Sequence, residues 1–99
     1  MNKLELNDNL AELYFLPKAT ELLGFIDGIR QDFLLIDDWS RLMDLAVDNE
    51  LEIYYEPCIF VNVGRYPFNC RTFFKDYETK KEALKICIAM ALVKLAEGK

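Results

Sequence analysis

Ile86-Cys87-Ile88-Ala89-Met90-Ala91-Leu92-Val93 is an unbroken apolar run of eight residues, and the architecture turns on it. The segment around it reads as one long C-terminal helix over 79–97. Thr79 and Glu82 have capping-box spacing, in which the hydroxyl takes an orphan N–H of the first turn, and Gly98 stands where a helix stop belongs. A helix lying on a protein surface shows one apolar stripe and one polar face. This one is apolar on every side through its middle, so it must be covered on more than one side. A small sheet masks one side only. The remainder needs either the N-terminal leucines (Leu10, Leu13, Leu16, Leu22, Leu23) or a second copy of the chain. We expect the second copy, as a two-fold homodimer.

Three strand candidates precede that helix. Leu51-Glu52-Ile53-Tyr54-Tyr55 alternates, Cys58 to Val63 is rich in β-branched residues, and Cys70 to Lys75 alternates less cleanly. Glu56-Pro57 fits a hairpin turn, and Gly64 to Asn69 a longer one, so the strands form an antiparallel meander. Successive strand residues point to opposite faces. One face then carries Leu51, Ile53, Tyr55, Ile59, Val61, Val63, Thr72 and Phe74, a core face. The other mixes Tyr54, Cys58, Phe60 and Phe73 with Glu52, Asn62 and Arg71. Upstream, Asp37 or Asp38 caps a helix whose apolar positions Trp39, Leu42, Met43, Ala46 and Val47 recur every three or four residues. The expected fold is therefore α+β: a three-stranded antiparallel meander sandwiched between helices, in α-β-α layers. A two-layer arrangement with one bare sheet face is the alternative.

Residues 1–37 are less legible. Asp8 reads as the cap of a short helix through Leu10, Leu13 and Leu16, interrupted by Pro17; Lys18 to Leu23 is a second helical piece stopped by Gly24. Asp27-Gly28 signals a turn. Phe33-Leu34-Leu35-Ile36 fits a buried strand, a loop packed on the core, or the approach to the next helix.

At 99 residues the chain is one domain, 1–99, and 53% hydrophobic with 29% charged is a globular composition. The apolar run is far short of the roughly 20 residues of a membrane span, and Met1 to Glu5 lacks the pattern of a secretory signal. Cys58, Cys70 and Cys87 are an odd number without a C-x-x-C pair, which points to reduced thiols in the cytoplasm. Cys58 and Cys87 read as small buried hydrophobes; only Cys70, beside Arg71, qualifies as a reactive thiol. There is no histidine, so neither a Ser-His nor a Cys-His nucleophile can be built. No carboxylate pair among the seventeen Asp and Glu stands out for acid–base work. We expect no enzyme, no cofactor and no metal.

The Asp38-Trp39-Ser40-x-x-Met43 helix start, the helix-strand-strand-strand-helix order and the ending Tyr77-Glu78-Thr79-x-x-Glu82-Ala83-x-x-Ile86-Cys87-x-Ala89-x-Ala91-Leu92 carry a family resemblance. Over roughly 38–96 the chain resembles the small phage-encoded α-β-α sandwich domains of bacteriophage and prophage genomes. The resemblance implies the sandwich fold, a phage or prophage origin and the cytoplasm of a bacterial host. It brings no catalytic or binding residue with it, and the strands lack the tryptophans of that group.

Charge supplies the remaining hint. Residues 27–56 hold nine acidic residues against Arg30 and Arg41, a net of −7, whereas residues 57–99 carry a net of +4. The bland reading is a set of solvated faces. The sharper one is an acidic docking surface on the Trp39 helix, with Asp37, Asp38, Arg41, Asp44, Asp48 and Glu50 meeting a host or phage protein. A single-stranded nucleic-acid face would use Arg65, Tyr66, Phe68, Arg71, Phe73 and Lys75, but the net charge of −5 argues against it. A purely structural, self-associating accessory protein is the third reading.

Overall fold

The computed structural model describes residues 3–14 and 35–98. Helix α1 (Lys3–Leu13) is followed, beyond residue 34, by a 3-10 turn at Leu35–Asp37 and helix α2 (Trp39–Asp48). Strands β1 (Glu52–Glu56), β2 (Phe60–Arg65) and β3 (Phe68–Phe73) come next, then a 3-10 turn at Phe74–Asp76 and helix α3 (Lys80–Glu97). The class is α+β.

Helix ends follow local chemistry. The Thr79 hydroxyl accepts from the Glu82 N–H at 3.0 Å and starts α3. Glu82 does not complete the capping box, because its carboxylate is taken by Lys3 Nζ at 2.8 Å. Asp38 caps α2, accepting from the Arg41 N–H at 3.2 Å. At the other end of α2, Leu51 N–H donates to the Ala46 carbonyl at 2.9 Å and Glu50 N–H to Val47 at 3.0 Å, with Glu50 at φ 56°. That is the paired closure of a Schellman motif, with a left-handed residue just past the helix.

The sheet is a meander in the order β1-β2-β3, antiparallel throughout. Ile53 faces Val63 and Cys70 across the strands, and Tyr55 faces Val61 and Thr72. Val61, Val63 and Thr72 are buried there. The strands sit two residues from their expected limits at two points. Cys58 lies in the Pro57–Ile59 turn, exposed and at φ 65°, rather than opening β2 as a buried hydrophobe. β3 begins at Phe68, since β2 and β3 pair up to Arg65 and Phe68 and only Tyr66 and Pro67, joined by a cis peptide bond, connect them. Tyr55 and Ile59 share the core face by parity yet lie at its uncovered end, 47% and 52% exposed.

Ten residues of α3 are buried. The sheet covers one side: Thr72 Oγ1 donates to the Ala83 carbonyl at 2.8 Å, and the Cys87 thiol reaches the Cys70 and Val61 carbonyls at 3.3 and 3.6 Å. α1 covers another, where Tyr14 OH donates to the Leu92 carbonyl at 2.9 Å. α2 packs on a third. Apart from Met90, which stays 37% exposed, the apolar run is thus covered within one chain, and the homodimer expected to bury its Ala, Met and aliphatic side chains is not required for that purpose.

The helices are distributed differently from the expected α-β-α layers. Among the described residues the order is sheet, then α3, then α1 and α2, all on the Val61–Val63 side. Physically, α3 offers an outer apolar side that attracts α1 and α2 more strongly than a sheet face interrupted by Glu52, Asn62 and Arg71.

α1 starts at Lys3, five residues before the expected cap Asp8, because Leu6, Leu10 and Ala11 make a buried face on α3 that overrides the weak helix propensity of Asn7, Asp8 and Asn9. Leu35 and Ile36, both buried, form the approach to the next helix. The expectations for Leu16, Pro17, 18–24, Asp27-Gly28, Phe33 and Leu34 lie outside the described residues.

Candidate functional site

The six acidic-surface residues divide into two groups. Asp37 is internal machinery: its Oδ1 accepts Lys3 Nζ at 2.9 Å and Lys85 Nζ at 3.3 Å, tying α1 and α3 to the 3-10 turn. Partial burial pushes Asp37 up, but hydrogen bonds and charge from Lys3 and Lys85 outweigh it and hold the carboxyl below its ordinary value. Burial likewise pulls Lys3 down, and its contacts with Glu82 and Asp37 more than reverse this. Asp38 is the cap described above. Both carboxylates thus serve contacts within the chain.

The rest faces outward. Asp44 and Asp48 lie one helical turn apart, exposed, with Val47 between them 69% exposed. Among the described residues neither carboxylate has an ion pair. Arg41 is exposed on the same helix. Glu50 is 3.5 Å from Arg65 Nη2, a largely exposed pair worth little.

The basic-aromatic group is not one face. Phe68 lies on the core face, where a Cβ on Gly98 would collide with its ring. Arg65 is beside Glu50, Tyr66 stands 90% exposed at the hairpin tip, and Lys75 is in the 3-10 turn. Only Arg71 and Phe73 reach the open face of the sheet. There they join Tyr54 and Phe60, two aromatics that side-chain parity had put on this face. The register arranges three rows: Glu52, Gly64, Asn69; Tyr54, Asn62, Arg71; Glu56, Phe60, Phe73. The Arg71 guanidinium lies 4.1 Å from the Phe60 ring centroid, a cation–π contact. The Phe60 ring is 5.9 Å edge-on to Phe73 and 6.5 Å from Tyr54, whose hydroxyl donates to Glu56 at 3.2 Å. Tyr54 is 58% and Phe73 39% exposed. The Arg71–Phe60 contact could not be read from sequence, because the residues are eleven apart and on different strands.

A groove of about 670 Å³ runs along α3 between α1 and β3. Leu6, Ile86, Met90 and Val93 make its apolar wall; Lys3 with Glu82, and Lys94 with Glu97, line it as well. Its cations are engaged, Lys3 by two carboxylates and Lys94 by the Asn69 carbonyl at 3.1 Å. Cys70 opens onto it. Burial pushes that thiol up, which Lys94 offsets only in part, and Arg71 points to the other face of the sheet. The activation expected from Arg71 is therefore not available to Cys70. Burial takes Cys87 further, to about 11. Among the described residues no group of three His, Cys, Asp or Glu is placed to hold a metal ion, and no helix is long and apolar enough to cross a membrane.

Among known proteins, no family model, no curated protein and no solved structure matches the chain.

Proposed function

We propose that the protein is a non-enzymatic interaction module that docks a basic partner protein on the outer face of α2. The observation that carries this reading is Val47, 69% exposed between the carboxylates of Asp44 and Asp48. An apolar side chain left in water and flanked by charges that have no ion pair among the described residues has the composition of a docking patch: an anchor to desolvate, and charges to steer and orient. Arg41, Asp44, Asp48 and Glu50 are its residues; Asp37 and Asp38 drop out. In the phage setting implied by the resemblance over 38–96, the partner is a host or phage protein in the bacterial cytoplasm.

Capture from bacterial lysate followed by mass spectrometry tests the proposal. Wild-type protein should retain a specific basic partner, and the pair Asp44→Lys with Asp48→Lys should lose it. Undiminished capture by that variant assigns the carboxylates to solubility alone.

A second reading rests on Arg71 stacked on Phe60 beside Phe73, a pairing that suits single-stranded bases. Glu52 and Glu56 border that face and oppose a phosphate backbone. Retention on heparin, released by salt, would favour it; flow-through favours the acidic docking module.

A further inference from the structure

We propose that the open face of the sheet packs on the same face of a second copy of the chain, about a two-fold axis running along β2. β1 of each copy then lies over β3 of the other. This surface is separate from α2, and the pairing goes beyond the docking function.

The reason is the lateral distribution of charge. Among the described residues both carboxylates on this face, Glu52 and Glu56, belong to edge strand β1. The cation, Arg71, belongs to the opposite edge, β3. The central strand contributes Phe60, Asn62 and Gly64, which carry no charge. A two-fold axis parallel to the strands exchanges the two edges while keeping each row level. The partner's Arg71 then faces Tyr54, flanked above and below on the same strand by Glu52 and Glu56, and the arrangement repeats on the other side of the axis. Phe60 of each copy comes to the centre with its own Arg71 over the ring, and Phe73 and Tyr54 surround the pair. Asn62 meets the partner's Asn62, and a side-chain amide both donates and accepts. An axis perpendicular to the strands would stack β1 on β1 and gather four carboxylates. Charge therefore selects one two-fold arrangement.

Burial explains why the face needs a cover. Tyr54 and Phe73 are 58% and 39% exposed, and they surround a Phe60 ring that Arg71 already caps. Sheets that pack face to face stand about 10 Å apart, which such side chains fill. The face is small. Strands of five or six residues, three of them, make a patch well below the roughly 800 Å² per partner of a standard interface. The dimer is consequently a weak one that dissociates on dilution, and salt weakens it further by screening the edge charges.

The test uses the full chain in sedimentation equilibrium from about 10 µM to about 1 mM, the range that brackets a weak dimer. Wild type should move from a mass of 11.6 kDa towards twice that value. Arg71→Glu places carboxylates against carboxylates and should stay monomeric. Glu52→Lys with Glu56→Lys places cations against cations and should stay monomeric too. An equimolar mixture of the two variants should dimerise, because each edge again meets its opposite. Circular dichroism checks that both variants are folded. Wild type at 11.6 kDa throughout overturns the proposal. So does dimerisation of either variant alone, or a mixture that stays monomeric. Binding of a single-stranded oligonucleotide that needs Arg71, by a wild-type chain that never dimerises, would give the face to nucleic acid instead.

Discussion

Glu50 and Cys58 hold backbone angles that side chains rarely adopt, at φ 56° and 65°. A left-handed residue with a Cβ is strained by roughly 1–2 kcal/mol, and glycine relieves this at some cost in unfolded-chain entropy. Glu50→Gly removes only an exposed ion pair with Arg65 and should therefore stabilise the domain by about 0.5–1 kcal/mol. A rise in the urea midpoint at unchanged slope checks it; a fall would show that the Arg65 pair outweighs the backbone strain. Asn7 illustrates the opposite case. It is fully buried, and its Oδ1 accepts the Ile36 N–H at 3.0 Å, holding the 3-10 turn onto α1. Asn7→Ala orphans that N–H and should cost about 1–3 kcal/mol. The thiols give a third readout at this scale. Cys58 is exposed, Cys70 half-buried, and Cys87 buried with its pKa at about 11. Alkylation of the folded protein should modify Cys58 first and Cys87 last. Cys87 labelled at the rate of Cys58 would contradict the packing of α3 on the sheet.

At the scale of elements, α3 is the central member, touched by the sheet, by α1 and by α2. Ile88 and Leu92 are fully buried in it. Ile88→Asp or Leu92→Asp places a carboxylate among aliphatic side chains at a cost of several kcal/mol, against a total stability of about 5–15 kcal/mol for such a domain. Both variants should be unfolded at room temperature by circular dichroism. A cooperative melt within a few degrees of wild type would remove α3 from the centre. The Lys3–Asp37–Lys85 group joins elements far apart in sequence and confers a pH dependence. Asp37 is held below its ordinary value of 3.8, so its contribution is present above that pH and fades as acid protonates it below. Lys3 is held above 10.5, so its contribution is present below that pH and fades as base removes the proton. Asp37→Asn should therefore lower stability by about 1 kcal/mol at neutral pH. The deficit against wild type should shrink as the pH falls below 3.8. A deficit that persists undiminished in acid would mean that Asp37 acts through packing rather than charge.

On the scale of the molecule, the α2 patch and the sheet face are two surfaces with different logic. The patch has carboxylates without ion pairs among the described residues, around an exposed valine. The sheet face has charges sorted to opposite edges around packed rings. Changing Asp44, Asp48 and Glu50 to lysine should leave folding within about 1 kcal/mol of wild type, since exposed charges contribute little one by one. The same triple change should abolish capture of the partner while leaving the sedimentation behaviour of the sheet-face dimer as it was. Loss of both together would show that the two surfaces are one.

Sequence by itself determined what depends on neighbours along the chain. Thr79 and Asp38 announce their helices because a cap is a contact three residues long. The alternation of Ile53, Val61 and Val63 fixes a core face because strand geometry has a period of two. The all-round apolar character of 86–93 requires cover on several sides, since no single neighbour can mask a whole helix. Tertiary structure alone decided which neighbours supply that cover. α1 and α2 take the outside of α3, so among the described residues the helices gather on one side of the sheet and leave the other face open. Long-range pairing also removed Asp37 from the acidic surface, because Lys3 and Lys85 come from distant elements that no local pattern links to it. It likewise brought Arg71 onto Phe60, a contact made across two strands. Interactions that close within a turn or a strand are written in the order of residues; those that depend on which surfaces meet are settled only when the whole chain competes for burial.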